Sequence, residues 1–431
     1  MSEFLKQPPH RPGEDASQVS ATVSEILSAV RAEGESAVRR YSARFDKWDP
    51  PTFRVGREEI ERATESLDPE LRRHIDFAAT QIRNFAELER GTMHDLEVET
   101  MPGVVLGHHH VPVDSVGSYS PGGLYPLIAS SLMTIVVPKA AGVRRVVAAA
   151  PPRSGVGIHP PQLYAMDSSG ADEIFCVGGV QGLAAMAFGI EGSEPVDMIV
   201  GAGNAYVAEA KRQLFGTVGI DLLAGPTEVA VIADGTADPR IVAADLLGQA
   251  EHGPTSPAIL MTTDRAFGHA VIREVRVWLE GEWPTADIAG VAWRDFGTVV
   301  LCESDEEVVQ VSDRYAPEHL EVQTRDPEWY FKRLRNYGSI FLGPHSTVAF
   351  SDKSIGTNHV LPTKGAARYT GGLWVGKFLK TLTFQRLTAE GSETIAASTA
   401  AIADAELMYG HALTARLRYR LPDNSGDPAP T

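Results

Sequence analysis

The chain has 431 residues, more than one domain usually contains, so two or three domains are expected. It carries 39 Lys and Arg against 56 Asp and Glu, and the net charge of −17 argues against nucleic acid or a membrane surface as the main partner. A small anionic substrate stays compatible with this charge, because a few cations in a cleft reverse the local field.

The two cysteines, Cys176 and Cys302, lie in apolar stretches typical of strands, so both are interpreted as buried, reduced thiols. A chain without a cysteine framework suits a reducing compartment. The first fifteen residues lack the apolar region of a signal peptide, and no stretch approaches the roughly 20 apolar residues of a membrane helix. We therefore expect a cytoplasmic protein.

The first hundred residues are expected to form a helical segment. Residues 1–15 are polar and rich in proline, and we expect them on the surface. Apolar residues then recur at helical spacing after Ser17, are interrupted at Gly34, and continue on a second helix. A third helix is predicted over roughly 69–91.

From about residue 104 the pattern alternates between strands and helices, which indicates βαβ units and a parallel sheet. The predicted strands fall into two sets, at 143–152, 172–179, 196–204 and 227–234, and at 257–264, 297–304 and 338–344. The fold class is therefore α/β, with two doubly wound Rossmann-like domains. The predicted division is a helical segment over 1–100, α/β domains over 101–235 and 236–380, and a helical tail over 381–431 ending in a disordered stretch.

Gln249 and His252 form the first candidate site. A helix is predicted to begin at Asp238-Pro239 and to end at Gly253-Pro254, so both side chains project from one face of its last turn. Such a pair can ligate a metal ion. A histidine at this end of a helix is also favoured by the helix dipole alone.

Glu318 and His319 follow a proline in the stretch DRYAPEHLEV. A histidine with an adjacent carboxylate is what general acid–base catalysis requires. The alternative is a surface loop that carries two polar residues. In the catalytic interpretation, the side chains of Glu318 and His319 point into a cleft.

Two further pairs are less specific. Asp352 and His359 lie in a long stretch rich in Gly, Thr, Asn and Pro, which predicts a structured loop of the kind that carries function. Glu406 and His411 lie on a C-terminal helix, roughly 140° apart around its axis, so only one of them suits a shared metal ion. A solvated helix face is the alternative for this second pair.

Glycine-rich turns follow two predicted strands, at 178–182 (GGVQG) and 201–206 (GAGNAY). Either could bind a nucleotide, but Tyr206 stands where a Rossmann fingerprint has its third glycine. The turn at 118–123 (SYSPGG) could face a ligand with its backbone. The three consecutive histidines His108–His110 are expected to alternate along an edge strand and not to bind zinc.

Taken together and in order, these motifs resemble the histidinol dehydrogenase family from about residue 100 to 415. The matching blocks are SYSPGG, GGVQ, GAGNAYVAEAK, LAGPTEVAVIAD, DLLGQAEHGP, YAPEHLE, GSIFLGP, GTNHVLPT and a C-terminal Glu and His five residues apart.

The resemblance implies the roles of the candidate residues. A catalytic Zn²⁺ would be held by Gln249, His252 and Asp352, with His411 of the partner subunit, in a domain-swapped homodimer. Glu318 and His319 would be the acid–base pair. The residues implied to line the NAD⁺ site are Tyr119, Gln181 and Asn204. Those implied to contact the substrate are Thr227, His359 and Glu406.

The implied reaction is a four-electron oxidation of a small polar alcohol, through an aldehyde, to a carboxylate, with two NAD⁺. Stretches such as GVGIHPPQLYA and the segment from 361 to 383 resemble a sister branch of the family, typified by sulfopropanediol 3-dehydrogenase. We therefore favour 2,3-dihydroxypropane-1-sulfonate, giving sulfolactate, with Lys364 and Arg368 as cations for the sulfonate. The alternatives are L-histidinol, oxidised to L-histidine, and another small polyol.

Two other classes of function compete with this interpretation. A non-catalytic relative that keeps the fold would show a broken metal set, yet all four ligand positions and the Glu318–His319 pair are present. A Rossmann reductase with a Tyr–Lys pair would need a glycine fingerprint that this chain lacks.

Overall fold

The computed structural model describes residues 3–9, 16–281 and 283–418. It divides into two compact units, one built from the described parts of 1–90 and 113–378, the other from those of 91–112 and 379–431. In the described ranges no helix combines the length and the apolar character needed to cross a bilayer.

The strands, in chain order, are β1 (Glu3–Lys6), β2 (Leu96–Met101), β3 (Val104–Pro112), β4 (Ser115–Tyr119), β5 (Arg145–Ala150), β6 (Glu173–Cys176), β7 (Met198–Val200), β8 (Gly219–Ile220), β9 (Val229–Ala233), β10 (Ala258–Thr262), β11 (Thr298–Leu301), β12 (His319–Gln323), β13 (Ser339–Leu342) and β14 (Leu379–Leu387). The helices are α1 (Ala16–Glu33), α2 (Glu35–Phe45), α3 (Arg57–Glu65), α4 (Pro69–Gly91), α5 (Ile128–Ala141), α6 (Pro160–Ser168), α7 (Gly179–Phe188), α8 (Ala205–Leu214), α9 (Pro239–Ala250), α10 (Arg265–Glu280), α11 (Ala286–Phe296), α12 (Asp305–Tyr315), α13 (Pro327–Phe331), α14 (Val348–Lys353), α15 (Ala389–Ala405) and α16 (Tyr409–Arg418). Two short 3-10 helices span Ala366–Arg368 and Val375–Phe378.

The first unit contains a five-stranded parallel sheet in the order β6-β5-β4-β7-β8. Helices α7 and α8 pack on α1 beside this sheet, and their shared core includes Phe53, Phe175, Leu183 and Ile199. The chain thus winds outward from β4 in both directions. This is the doubly wound arrangement that the strand–helix alternation predicts.

A second sheet of the same unit has the order β1-β11-β10-β9-β12-β13. From β9 to β13 its strands are parallel and follow the same winding as the first sheet, with β9 in the place of β4. The two halves therefore repeat one topology, and the predicted fold class is confirmed.

Two predicted boundaries were wrong within this unit. Residues 3–6, expected in a polar surface stretch, form the edge strand β1, which pairs antiparallel with β11. Strand β9, assigned to the domain over 101–235, pairs with β10 and β12 in the second sheet. Both errors have one cause: strand pairing depends on the available partner edge, which local sequence does not encode.

The second unit combines a three-stranded antiparallel sheet, β14-β3-β2, with helices α15 and α16. The helices meet through small side chains, namely Ala396, Ala400, Ala403, Ala412 and Ala415. The predicted tail over 381–431 is therefore helical only after β14. His108–His110 lie in β3, which is the central strand and not the predicted edge. The stretch expected to be disordered, 420–431, lies outside the described residues.

Candidate active site

Several candidate catalytic residues meet at the amino edge of the second sheet. His319 begins β12 and is the register partner of Val229, the first residue of β9. The loop before β9 supplies Thr227 and Glu228, and α9 returns to this edge with Gln249 in its last turn. Sequence reasoning placed Glu318 and His319 in a loop and missed β12, because the strand is short and carries three polar side chains.

The carboxylate of Glu318 is held by two donors. Its Oε2 accepts hydrogen bonds from the Thr227 hydroxyl at 2.5 Å and from the Glu228 backbone N–H at 2.8 Å. The Gln249 side-chain amide donates to the Thr227 oxygen at 2.6 Å. All of Glu318, His319 and Gln249 are buried, so the network excludes bulk water from the carboxylate.

The ring of His319 is oriented by its Nδ1, which lies 3.0 Å from the backbone carbonyl of Glu228. A carbonyl only accepts, so this contact places the proton on Nδ1. The opposite nitrogen, Nε2, is buried without a hydrogen-bond partner. It lies 3.7 Å from Oδ1 of Asp352, an oxygen that is also buried and unpartnered.

Two neighbouring carboxylates shape the electrostatics of this ring. Burial by itself lowers the pKa of His319, but Glu318 and Asp352 outweigh it and raise the pKa to about 9. Burial raises the pKa of Asp352, whereas the hydrogen bond from His252 and the nearby cations hold it well below its usual range. Asp352 is therefore ionised across the physiological range, and the ring readily takes up a proton.

The same edge offers donors for a metal ion. His252 Nε2 lies 3.5 Å from Asp352 Oδ2, and the buried Asp352 Oδ1 has no partner. With Gln249 from the same helix end as His252, these residues form a mixed nitrogen and oxygen set that suits zinc. No group of three His, Cys, Asp or Glu able to hold a metal ion occurs in the described parts of the chain. Gln249, His252 and Asp352 nevertheless fit zinc chemically, because three protein ligands leave the open position that catalytic zinc sites have.

Asp352 reaches the site from a helix. Sequence reasoning placed it in a long loop, but it lies in α14, a six-residue helix. His359, from the loop that follows, has Nε2 at 2.8 Å from the Ser130 hydroxyl and Nδ1 at 3.2 Å from the Asp352 carbonyl. These contacts bring His359 beside Asp352.

Lys364 and Arg368 are both exposed. The aliphatic part of Lys364 packs over Gly225, two residues before Thr227, and the Gly225 N–H donates to the Thr363 hydroxyl at 2.6 Å. Lys364 thereby borders a cavity of about 290 Å³, lined also by residues of α8 and by Tyr369. A cation thus lies along the loop that leads to the catalytic cluster.

Tyr119, Gln181 and Asn204 lie at the carboxyl edge of the first sheet. Tyr119 ends β4 and Asn204 follows β7, so these two flank the point where the strand order reverses. Sheets of this kind bind ligands at such a point. Asn204 caps α8 by accepting from the N–H groups of Tyr206 and Val207, and Gln181 donates to Asp46 at 2.9 Å.

A buried ion pair, which sequence reasoning missed, fixes the turn at this edge. Lys211 Nζ donates to the Gly201 carbonyl at 2.8 Å and pairs with Asp221, while the Gly201 N–H donates to Asp221 at 2.8 Å. Gly201 has φ +123°, and a Cβ there would lie 2.1 Å from the Tyr119 carbonyl oxygen. The signal was available, because Lys211 interrupts the apolar face of α8 formed by Val207, Ala210 and Leu214.

Glu406 and His411 belong to the second unit. Glu406 is the C-cap of α15 and His411 lies in the first turn of α16, and both are exposed. The prediction that one helix carries both residues was wrong, because the chain turns between α15 and α16.

The histidinol dehydrogenase family model matches residues 9–419. The chain belongs to the histidinol dehydrogenase family. A histidinol dehydrogenase homolog from Shouchella clausii is 50% identical, over 97% of this chain and 99% of the relative. The sulfopropanediol 3-dehydrogenase of Ruegeria pomeroyi is 47% identical, over 99% and 98%. The crystal structure of histidinol dehydrogenase from Elizabethkingia anophelis superposes with a TM-score of 0.88 at 35% identity, covering 96% of this chain and 94% of that one.

As a histidinol dehydrogenase family member, the protein is an oxidoreductase of the dehydrogenase type. The recognition of the family from its ordered motifs is confirmed, and a sulfopropanediol enzyme is among its close relatives. The arrangement of helices and sheets is the one that the family's solved structure has.

We predict that Lys211→Met destabilises this family member by about 3–5 kcal/mol, because it leaves the Asp221 carboxylate buried without a counter-ion. The midpoint of urea unfolding measures the loss. Lys332→Met, at an exposed lysine, is the control and should change stability little. Equal unfolding midpoints for Lys211→Met and wild type would contradict the structural role of the pair.

A second prediction concerns pH. Burial and the neighbouring Glu318 raise the pKa of the Glu228 carboxyl to about 7, above its unfolded value. Its stabilising contribution is therefore complete below about pH 4.5 and lost as pH rises through about 7. Glu228→Gln should gain stability relative to wild type between pH 5 and pH 8.5, by roughly 1–3 kcal/mol.

Urea unfolding at several pH values tests this prediction. Glu58→Gln, at an exposed glutamate, should keep the wild-type pH dependence. A stability difference between Glu228→Gln and wild type that does not vary with pH would show that Glu228 does not titrate as described.

Proposed function

We propose that this protein is a zinc- and NAD⁺-dependent dehydrogenase that oxidises a small primary alcohol, through an aldehyde, to a carboxylate. The observation that carries the proposal is the buried pair of unpartnered atoms, His319 Nε2 and Asp352 Oδ1, facing each other at 3.7 Å. An unpartnered ring nitrogen beside an unpartnered, ionised carboxylate oxygen is a place for a reacting hydroxyl group. Four electrons leave the substrate, two at each step, to two NAD⁺.

In the first step the neutral form of His319, which the raised pKa of the ring shifts to higher pH, accepts the alcohol proton at Nε2. Its Nδ1 is held by the Glu228 carbonyl, so the ring cannot rotate away, and the positive charge that it gains is stabilised by Glu318 and Asp352. In the second step we assign the activation of water to the Oε1 atom of Glu318. Its other oxygen is occupied by Thr227 and the Glu228 N–H.

Gln249, His252 and Asp352 would hold the zinc, with His411 of the partner subunit as a further ligand. When bound, the zinc polarises the alcohol oxygen and orients the neighbouring polar group. Several large apolar side chains of the second unit are exposed, including Ile402, Leu407, Leu413 and Leu417. Their exposure favours a second copy of this chain as the source of the further zinc ligand. We therefore propose the domain-swapped homodimer, with Glu406 at the substrate.

Tyr119, Gln181 and Asn204 would line the NAD⁺ site at the carboxyl edge of the first sheet. Burial of the Tyr119 phenol raises its pKa to about 12, so it stays neutral and accepts a hydrogen bond from the Gly179 N–H at 3.1 Å. Thr227 and His359 would contact the substrate. The Lys211–Asp221 pair would keep the Gly201 turn in the shape that the cofactor needs.

The favoured substrate is 2,3-dihydroxypropane-1-sulfonate, and the product is sulfolactate. Lys364 beside the loop to Thr227 supports an anionic substrate, as does the likeness to the Ruegeria pomeroyi enzyme. L-Histidinol is the second candidate, because the superposed crystal structure is a histidinol dehydrogenase. A vicinal diol and a vicinal amino alcohol can both chelate a metal ion through two neighbouring polar groups.

We predict that the purified protein, with Zn²⁺ and NAD⁺, forms NADH with dihydroxypropanesulfonate faster than with histidinol, and two NADH for each substrate consumed. His319→Asn should lower kcat by a factor of about 10²–10⁴ while zinc stays bound, because only the proton acceptor is lost. Absorbance at the NADH band and metal analysis are the measurements. An absence of turnover on every small alcohol, or full activity of His319→Asn, would refute the proposal.

The charge of Lys364 provides a test of the substrate class. Lys364→Gln should raise KM for the sulfonate by a factor of about 10–150 and leave kcat nearly unchanged, since a charge-assisted hydrogen bond is worth roughly 1.5–3 kcal/mol. KM for histidinol, a cation, should stay the same or fall. Arg368→Gln reports the second cation, and Lys332→Gln is the exposed control. If neither Lys364→Gln nor Arg368→Gln changes KM for the sulfonate, then neither side chain binds the substrate.

A further inference from the structure

A buried polar network lies behind the catalytic edge, and the reaction proposed above does not use it. Its members are Asp245 on α9 and Glu321 and Gln323 on β12. Glu321 is 0% exposed and Gln323 is 4% exposed. They alternate along β12 with Leu320 and Val322, whose side chains join an apolar core. Carboxyl groups are costly in such an interior unless they are fully hydrogen-bonded.

All four carboxyl oxygens of this network have partners. The Gln323 amide donates to Asp245 Oδ2 at 2.7 Å and to Glu321 Oε2 at 2.9 Å. Asp245 Oδ1 accepts from the Thr347 hydroxyl at 3.1 Å, and Glu321 Oε1 accepts from the Val348 N–H at 3.0 Å. Burial and the proximity of Asp245 raise the pKa of Glu321.

The network joins the three elements that carry the catalytic cluster. Asp245 lies one turn before Gln249 on α9, and Glu321 lies two residues after His319 on β12. Thr347 and Val348 begin α14, the helix that carries Asp352. A helix of six residues has little stability of its own, so its position depends on contacts of this kind.

Stability alone does not account for such a network. Two carboxyl groups placed together in an interior cost free energy, because burial and their proximity both disfavour the charged forms. A polar link between α9, β12 and α14 instead defines one relative position of the three elements, because each pair of them is joined by a hydrogen bond that is lost when either element shifts by about an ångström.

We propose that Asp245 and Glu321 are positioning residues, which hold α9, β12 and α14 so that Gln249, His319 and Asp352 converge, and thereby set the affinity for the metal. This inference rests on the proposed zinc-dependent function. The two carboxyl groups act through the backbone of these elements and do not touch the substrate. Residues that orient metal ligands typically contribute 10- to 100-fold in metal affinity.

Thr347 provides a matched pair of variants, since its hydroxyl donates to Asp245 from the start of α14. Thr347→Val keeps the shape and removes the donor, whereas Thr347→Ser keeps the donor. The dissociation constant for Zn²⁺, measured by competition with a chelator, should rise about tenfold in Thr347→Val and stay within about twofold of wild type in Thr347→Ser. Glu321→Gln, which puts an amide N–H₂ in place of one of the two accepting oxygens, should weaken Zn²⁺ binding similarly.

Val271→Ala controls for a general loss of stability. Val271 is fully buried on α10, beside α9, and has no polar side-chain group with which to join the network. At a comparable fall in the unfolding midpoint, Val271→Ala should keep the wild-type Zn²⁺ affinity. NAD⁺ binding should be unaltered in every variant.

The outcomes separate the two proposals. If wild type binds no Zn²⁺, the zinc-dependent function and the positioning role both fail. If wild type binds Zn²⁺ and Thr347→Val binds it equally well, or Val271→Ala loses as much affinity, only the positioning role is overturned.

Discussion

The two hydrogen bonds that Glu318 Oε2 accepts, from the Thr227 hydroxyl and the Glu228 N–H, are the contacts on which the site depends. They join the amino end of β12 to the loop before β9, so residues far apart in the chain share one buried edge. The His319 ring is then oriented by the Glu228 carbonyl, and its free nitrogen faces Asp352. Without these two hydrogen bonds β12 would not be joined to the loop before β9, and the His319 ring would have no fixed orientation.

The protein uses one topology in two ways. Both sheets wind outward from a central strand, β4 in one and β9 in the other. In the first sheet the candidate cofactor residues, Tyr119 and Asn204, lie at the carboxyl edge, where the strand order reverses. In the second sheet the candidate catalytic residues lie at the amino edge, near the C-terminal end of α9. Under the proposed function, one half of the unit would bind the cofactor while the other would supply the metal ligands and the base.

Each half of the first unit contains a buried polar network. Each network holds in place a stretch of backbone on which the proposed function depends. Lys211 and Asp221 bind both polar groups of Gly201. Asp245, Glu321 and Gln323 link the elements behind the cluster. Neither network has a motif that reveals it in the sequence, because its members lie on different elements and are recognisable only by their contacts. Lys211 is the exception, since a lysine within the apolar face of a helix is visible in advance.

The sequence by itself determined the fold class, most strands of both sheets, helix α4 and the family. Periodicity and ordered motifs belong to the sequence itself, so they can be recognised before any tertiary contact is known. Only the tertiary structure decided that residues 3–6 are a strand, that β9 belongs to the second sheet, and that Asp352 reaches the site from a helix. It also decided which atoms of Glu318, His319 and Asp352 face one another. These features depend on pairing and packing between distant segments, whose free energy no short window of sequence contains.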